Sequence, residues 1–600
     1  MPVSTPQSPR HLRKKRLHAL PLSPIPPYRL KLVFFILCTA LIGLSGRMAW
    51  LQLFRGAALE ARARDYQTKR IKPLGTRYSI VDRRGRLVAL DEKLFKLYAH
   101  PRQFNFPGDS NGVIRSPEEV ALKIADPLMI PKANLIALLR SRDSGVKIAE
   151  GLAPEVASNV RRLGISGLEL MPYPQRNYPL DNLFANVVGF LDYDRKPQAG
   201  LELSLNKKLS RQGKTHNLRH GADGTPLPSD LGPGFFSGDN KKIKLTLDAR
   251  LQEVDIKAVK AQVKEWRAEK GVAIVMNVHN GELLALASTP TYNPNKYWEF
   301  SPERYKEWSI EELIEPGSTF KPINLALALQ EGVIATDGTV YDSGSVEVGG
   351  YSLRNWNKKG NGLLDYPSVL QVSSNVAMVN IMQKLTPSRY WELLNQLGVS
   401  TRLDTDLPGA IAGHLKSKEI FTNTPIEPAV ASFGQGFSLT PIKLAQLHAL
   451  LANGGYLVKP HITKGFLQNE KLSNNNSVDK KQILSSQVTN IVLKWMETVV
   501  QKGSGKGVRI NGYRIGGKTG TAEKIHDDLK KLCSFVAILP IEQPQFVVVV
   551  AIDEPKKAYA YGSTVAVPVA KEIIESLIVI EQIPPYSAEK DLISSKFKKR

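Results

Sequence analysis

The sequence predicts an α+β fold carried behind a single N-terminal apolar span, and three observations predict it. Strand patterns cluster at both ends of residues 241–585 with mostly helical patterns between them. Strands from both ends must therefore meet in one sheet with helices packed around it. An uncharged run, Leu32–Gly46, extends through Arg47 and Trp50 to Leu53. That length suffices for a membrane-spanning helix, since an arginine can snorkel and a tryptophan can sit at the interface. Residues 54–240 carry short strand, helix and turn signals but present no nucleophile beside a base, and read as a structural pedestal. Five segments result: a basic tail over 1–31, the anchor over 32–53, a non-catalytic pedestal over 54–240, the α+β domain over 241–585 and a basic tail over 586–600.

The totals narrow the class. Lysine and arginine outnumber aspartate and glutamate by 81 to 56, giving a formal charge of +25. A basic body points to an anionic neighbour such as a membrane surface or a cell-wall polymer. No zinc-finger, RNA-recognition or basic-helix signature is present, which argues against nucleic acid. Cys38 falls in the apolar run and Cys533 in a strand pattern, so no disulfide is expected between them. Metal-ligand spacing of Cys and His is absent, and neither metal nor organic cofactor is expected.

Taken in order, residues 1–31 are Pro-rich and basic without apolar periodicity, and read as a disordered tail. Basic residues before the apolar run place the N-terminus in the cytoplasm. No small-x-small site follows the run cleanly, which favours an uncleaved anchor over a signal peptide. Ala57–Thr68 reads as a polar helical stalk, and Arg77–Leu90 as a hairpin around Asp82-Arg83-Arg84-Gly85. Residues 116–160 hold two short helical patterns. Gln175–Pro179 leads into a mixed apolar run, Phe184–Leu191, and Leu201–Leu209 is a short helix. Residues 212–240, rich in Gly, Pro, His and Asp, read as loop and linker. Lys244–Asp248 ends a strand, and Ala249–Trp266 is an amphipathic helix. Gly271–Val278 and Glu282–Ser288 form a hairpin about Asn280-Gly281, the strongest short hairpin signal. Tyr513–Thr521, Ser534–Leu539 and Phe546–Ile552 are three further strands. Val565–Ile580 is an apolar terminal stretch, helical from Pro568.

The chemistry sits in Glu315-Pro316-Gly317-Ser318-Thr319-Phe320-Lys321-Pro322, a turn feeding a buried helix. Ser318 stands at an N-cap or first-turn position, at the positive end of the helix. Lys321, three residues on, shares its face. A buried ammonium loses pKa, and a neutral lysine beside a serine is a base beside a nucleophile. Ser-x-x-Lys also begins at Ser144, Ser204, Ser477, Ser587 and Ser595, so the tetrad needs partners to be specific. Ser373-Ser374-Asn375 lies in a helical region, and Lys518-Thr519-Gly520-Thr521 on a strand. A Ser373 hydroxyl can relay a proton between Lys321 and a leaving amine, and the Asn375 amide can both donate and accept. Lys518 offers fixed positive charge, with the hydroxyls of Thr519 and Thr521, for a substrate carboxylate. Gly516, Gly517 and Gly520 allow another backbone to approach, fitting a peptide added along the strand edge.

Together, in this order, the three motifs resemble the active-site set of the penicillin-recognising serine enzymes, specifically class B penicillin-binding proteins. The likeness extends to Arg77–Gly85 (departing at Tyr78 and Arg84, where Gly and Asn are usual), Arg176-Asn177-Tyr178-Pro179, Gly200-Leu201-Glu202, Ser432–Gly436 and the strand beginning at Cys533. It spans about residues 30 to 580. The resemblance implies a penicillin-binding transpeptidase domain, an antiparallel sheet with flanking helices plus an all-α part, behind an elongated pedestal of the dimerisation type. It implies that Ser318 attacks a D-Ala-D-Ala stem peptide, with Lys321 as base and Ser373 as relay. Backbone N–H groups of Ser318 and Thr521 would form the oxyanion hole. Lys518 and Thr519, with Gly520 and Thr521 on the same strand, would hold the carboxylate, and Asn375 the peptide amide. A second stem peptide's amine would resolve the acyl-enzyme, and β-lactams would trap Ser318. A single-pass protein of the inner membrane with a periplasmic catalytic domain follows. The compact Gly189–Gly213 segment looks like the division type, whose partners would be a polytopic glycosyltransferase and other divisome proteins. The competing readings are an elongation-type transpeptidase, a D,D-carboxypeptidase or β-lactamase, and a β-lactam sensor. The bifunctional class is excluded, since 54–240 is too short for a glycosyltransferase domain.

Overall fold

A computed structural model describes residues 27–71, 76–104, 116–211, 216–219, 241–468, 471–473, 481–524 and 527–586. The predicted tail over 1–31 and basic tail over 586–600 therefore lie almost wholly outside the described residues. The chain divides into two units, Met1–Pro73 with Lys214–Ser237, and Leu74–Gly213 with Gly238–Arg600.

The first unit begins with a 28-residue helix, Pro27–Phe54, with no buried residue. At 1.5 Å per residue it is about 42 Å long, beyond the ~30 Å of a bilayer's hydrocarbon core. Among the described residues it is the one helix long and apolar enough to cross a membrane. It starts earlier than the predicted span, because Arg29 and Lys31 continue the helix rather than cap it. Near its other end the guanidinium groups of Arg47 and Arg55 lie 4.7 and 5.2 Å from the Trp50 ring centroid, the cation–aromatic pairing expected of an interfacial anchor. The stalk follows as Gly56–Gln67. Thr68–Ile71 then pairs antiparallel with His216–Arg219, so this described part of the predicted linker is a strand.

The second unit holds two principal sheets. One is antiparallel and five-stranded, in the order Gly516–Lys524, Asp527–Leu539, Phe546–Asp553, Lys270–Asn277, Leu283–Thr289. Its centre joins the two ends of the domain as predicted, with Val549 opposite Ile274. Both faces are covered, and period-two alternation divides the side chains between them. Ala273, Val275, Val548 and Val550 pack in a cluster with Ala249–Trp266 and Gly562–Ile580. Ile274, Met276, Val547 and Val549 pack in another with Lys321–Gln330, Pro441–Ala452 and Ser486–Gln501. The helices beside the Ser318 and Ser373 motifs pack on that second face, and the Lys518 motif lies on the outer strand Gly516–Lys524. The terminal helix differs from expectation, since it begins at Gly562 and carries Pro568 inside rather than in its first turn.

The other sheet has seven strands and is shared between pedestal and α+β residues. Ser79–Val81 pairs antiparallel with Leu87–Ala99 across the predicted Asp82–Gly85 turn. It also pairs in parallel with Lys242–Leu245, which in turn pairs with Thr463–Gln468. Asp82 shapes the turn by accepting from the N–H groups of Arg84 and Arg86 at 2.8 Å each. Leu87–Ala99 also carries Val146–Leu152 and Leu168–Asn177, two strands the sequence reading omits. Residues 116–160 hold three helices rather than two, Pro117–Leu128, Lys132–Arg140 and most of Pro154–Arg162, which cover the far end of that strand. The predicted Leu201–Leu209 helix breaks into Gly200–Ser204 and Asn206–Leu209.

Buried charges tie this region together. Fully buried Glu202 pairs with Arg176 at 2.6 Å and Arg77 at 2.7 Å, and Arg176 and Arg195 both reach Asp91, at 3.2 and 2.7 Å. Opposed charges so thoroughly desolvated persist only when mutually paired.

Candidate active site

Ser318 sits not in the α-helix but in a 3₁₀ turn before it, Gly317–Phe320, and the helix proper starts at Lys321. Gly317 has φ +54°, and its N–H donates to the Gly434 carbonyl at 2.8 Å. A side chain at Gly434 would meet the Gly317 carbonyl at 2.0 Å, so the Ser432–Gly436 stretch is the wall against which the Ser318 turn is moulded. Asn324 fixes that wall by donating to the carbonyls of Ala431 and Ser432, at 3.0 and 2.8 Å. Its own amide oxygen accepts from the Tyr390 hydroxyl at 3.0 Å.

The three motifs converge on Ser373. Lys321 is wholly buried, and its Nζ donates to the Ser373 carbonyl at 2.6 Å, the Ser373 Oγ at 3.2 Å and Asn375 Oδ1 at 2.7 Å. Lys518, also wholly buried, donates to the Ser373 Oγ at 2.9 Å and the Thr519 carbonyl at 3.0 Å. One hydroxyl thus lies between two ammonium groups. Burial holds Lys321 well below the usual lysine pKa, Lys518 pushes the same way, and Asp342 opposes them. Burial lowers Lys518 to about 7. Burial thus pushes both amines toward the neutral form, the state in which a lysine can accept a proton. Ser318 is not among the hydrogen-bond partners of Lys321. In a resting site such bonds are often formed only when substrate arrives.

The second motif lies at a junction rather than within a helix. Tyr366–Val372 ends at Ser373, which adopts the left-handed conformation at φ +59°. Ser374 then caps Asn375–Met382 by accepting from the Ala377 N–H at 2.9 Å. The break turns both the carbonyl and the hydroxyl of Ser373 toward Lys321. An unusual φ at a serine bearing a functional group is the kind of local strain that sites retain.

Two residues missed by sequence reasoning hold this junction. Asn355 Oδ1 accepts from the N–H groups of Asn375 (2.8 Å) and Val376 (3.2 Å) and from the Ser374 hydroxyl (3.3 Å). Its Nδ2 donates to Asp342 at 2.8 and 2.9 Å. Burial alone would raise the Asp342 carboxyl, but donors from Asn361, Ser374, Gly344 and Asn355 hold it below its ordinary value. Asp342 ends the strand Thr339–Asp342, which pairs with Gly362–Asp365, and Asn355 follows directly on Tyr351–Arg354, which pairs with Ser345–Val348. No spacing links them to Ser373 in the sequence. Asn355→Ala strands several buried donors and a carboxylate, and is expected to cost about 2–4 kcal/mol of stability. Thermal unfolding of the variant beside wild type measures it.

The third motif is an outer strand of the sheet. Thr519 Oγ1 lies 2.5 Å from Ser504 Oγ, which adds an unpredicted hydroxyl to the site. Thr521 Oγ1 accepts from the Gly562 N–H at 3.0 Å. The glycines have a different reason from the one expected. A side chain at Gly516 would meet Ile541, one at Gly517 would meet Phe535, and one at Gly520 would come within 2.4 Å of Ser534 Oγ. Packing within the chain therefore requires them, independently of any approaching peptide. Trp356, beside Asn355, and Tyr561, beside Gly562, meet edge to face with centroids 5.8 Å apart at the surface of the site.

The chain matches the family model described as the penicillin-binding protein transpeptidase domain over residues 271–575. It is 36% identical to the peptidoglycan D,D-transpeptidase FtsI homolog of Mesostigma viride, over 93% of this chain and 96% of the relative. It is 29% identical to the peptidoglycan D,D-transpeptidase FtsI of Escherichia coli (strain K12), covering 92% of each. Among solved structures it resembles penicillin-binding protein 3 of Mycobacterium tuberculosis, complexed with aztreonam, with a TM-score of 0.64 and 22% identity over 86% of this chain and 98% of that one.

Proposed function

The chain belongs to the penicillin-binding protein transpeptidase family, as a class B member of the FtsI and penicillin-binding protein 3 type, and on that premise we propose that it cross-links peptidoglycan stem peptides through an acyl-enzyme on Ser318. The observation that carries this reading is the convergence of Lys321 and Lys518 on the Ser373 hydroxyl beside the Ser318 turn. Neutral Lys321 takes the Ser318 proton as Oγ bonds to the carbonyl carbon of the penultimate D-Ala. The C–N bond to the terminal D-Ala then breaks. Ser373 gives its proton to the leaving amine and regains one from Lys321, which thereby returns to the neutral form while Lys518 keeps its charge. An amine of a second stem peptide attacks the ester by the reverse relay, forming the new amide and freeing Ser318.

Backbone N–H groups of Ser318 and Thr521 hold the oxyanion, and Lys518, Thr519 and Ser504 take the substrate carboxylate. Asn375 orients the peptide amide. β-Lactams acylate the same serine. The pedestal over 54–240 and the catalytic domain over 241–585 serve a protein held in the inner membrane by Pro27–Phe54, with its N-terminus in the cytoplasm. The division role is supported by the close Gly189–Gly200 contact, where a side chain on Gly189 would meet the Ala199 carbonyl at 1.9 Å. A polytopic glycosyltransferase and other divisome proteins are the proposed partners. Incubating the full-length protein with stem pentapeptides tests the activity. Release of D-Ala with a cross-linked dimer supports it, and release with a trimmed monomer alone favours a carboxypeptidase.

The lysines predict a pH profile. A lysine of lowered pKa is charged below that pKa and neutral above it. Lys518 should therefore lose its charge as pH rises through about 7. The second-order constant for penicillin acylation, which reports the free enzyme, should fall on the alkaline side of about 7. Lys518→Arg should shift that fall upward, because a guanidinium does not titrate there. A wild-type profile flat to high pH would contradict the assignment.

A further inference from the structure

Away from the Ser318 site, the second unit contains a cavity of about 230 Å³ lined by Arg402, Asp404, Lys443, Gln446, Lys459 and Lys481, among others. We propose that this cavity binds a small divalent oxyanion, with hydrogen phosphate and sulfate as its simplest probes. Lys443 carries the argument. It lies in the first turn of Pro441–Ala452, a helix whose every residue is buried, and is itself 6% exposed. Its ammonium has no hydrogen-bond or ion-pair partner among the described residues. It stands beside the 398–401 turn, 3.4 Å from where a Gly398 side chain would begin. A buried unpaired cation is costly, and an anion in the cavity it lines would compensate it.

The surroundings fit that occupant. Asp404 is the carboxylate among the lining residues, and it is already paired with Lys459 at 2.5 Å. Arg402 and Lys481 have no carboxylate partner among the described residues, so the wall keeps a positive excess. Gln446 sits on the same helix face, one turn after Lys443. Its Nε2 donates to the Val458 carbonyl at 2.7 Å, and its buried Oε1 has no partner. Unpaired cations around one cavity ask for a ligand rich in anionic oxygens, which a small divalent oxyanion supplies.

The test is thermal unfolding of the full-length protein in detergent micelles, at fixed pH and ionic strength, titrated with inorganic phosphate and, separately, with sulfate. A ligand that binds the folded state raises Tm saturably. The expected result is such a rise with both anions, not reproduced by chloride at the same ionic strength, and loss of the response in Lys443→Met. Labelling by fluorescent penicillin verifies that this variant is folded. Should it fail to fold, the exposed Arg402→Gln variant is expected to weaken the phosphate response severalfold. The absence of a saturable response to either anion, or a response unchanged in the variants, would overturn the proposal.

Discussion

Ser318→Ala is expected to form no detectable covalent adduct with a fluorescent penicillin while unfolding within a degree or two of wild type. The Ser318 hydroxyl is half-buried and has no hydrogen-bond partner among the described residues, so its loss strands no polar group. Its carbonyl, which accepts from the Lys321 N–H to close the turn, is backbone and survives the change. A surface-like truncation of this kind shifts stability by roughly 0.5 kcal/mol or less. Loss of a serine nucleophile lowers acyl transfer on the order of 10⁶-fold. Acylation kinetics paired with thermal unfolding separates the two effects. Residual labelling of the alanine variant at a slow but measurable rate would mean that another nucleophile serves.

Replacing Lys321 is expected to have the next largest effect, and the choice of replacement is informative. Lys321→Met should lower the acylation rate by about 10²–10⁴-fold, the usual contribution of a general base. Lys321→Arg should be as slow, because a guanidinium keeps its proton and cannot accept the one from Ser318. Lys518→Arg should retain much more activity, since that position holds charge rather than exchanges it. The asymmetry follows from their surroundings. Burial and the neighbouring Lys518 both push Lys321 toward the neutral form, whereas burial alone lowers Lys518. Equal tolerance of arginine at both positions would contradict the assigned roles. Stopped-flow acylation of the three variants makes the comparison.

What the sequence disclosed follows the range of the interactions involved. The Asn280-Gly281 hairpin and the helix over Ala249–Trp266 are fixed by local chemistry, and both lie where the pattern places them. The apolar span is a matter of composition, and needed correction at its start alone. The catalytic motifs were legible because each keeps a recognisable local spacing. Ser373 lies in the helical region the sequence indicates, but its left-handed break was not legible, because the partners around it, Asn355 and Lys321, are not sequence neighbours. Asn355, Asp342 and Ser504 were invisible for the same reason, as isolated polar residues on short hairpins and loops. Leu168–Asn177 went unread as a strand because it carries Pro172 and Pro174, which depress strand propensity, and because its partner lies some eighty residues earlier. The motif glycines were legible as a need for close approach, but the neighbours that create the need, Phe535, Ser534 and Ile541, come from elsewhere in the chain.

The measurement that bears most directly on the central claim is the location of the acyl group. Full-length protein treated with benzylpenicillin, quenched and digested, is mapped by tandem mass spectrometry. The arrangement of Lys321, Ser373 and Lys518 around the Ser318 turn predicts a long-lived penicilloyl ester on Ser318 and on no other residue. An adduct on Ser373, Ser374 or Ser504, or none on folded protein, would contradict it.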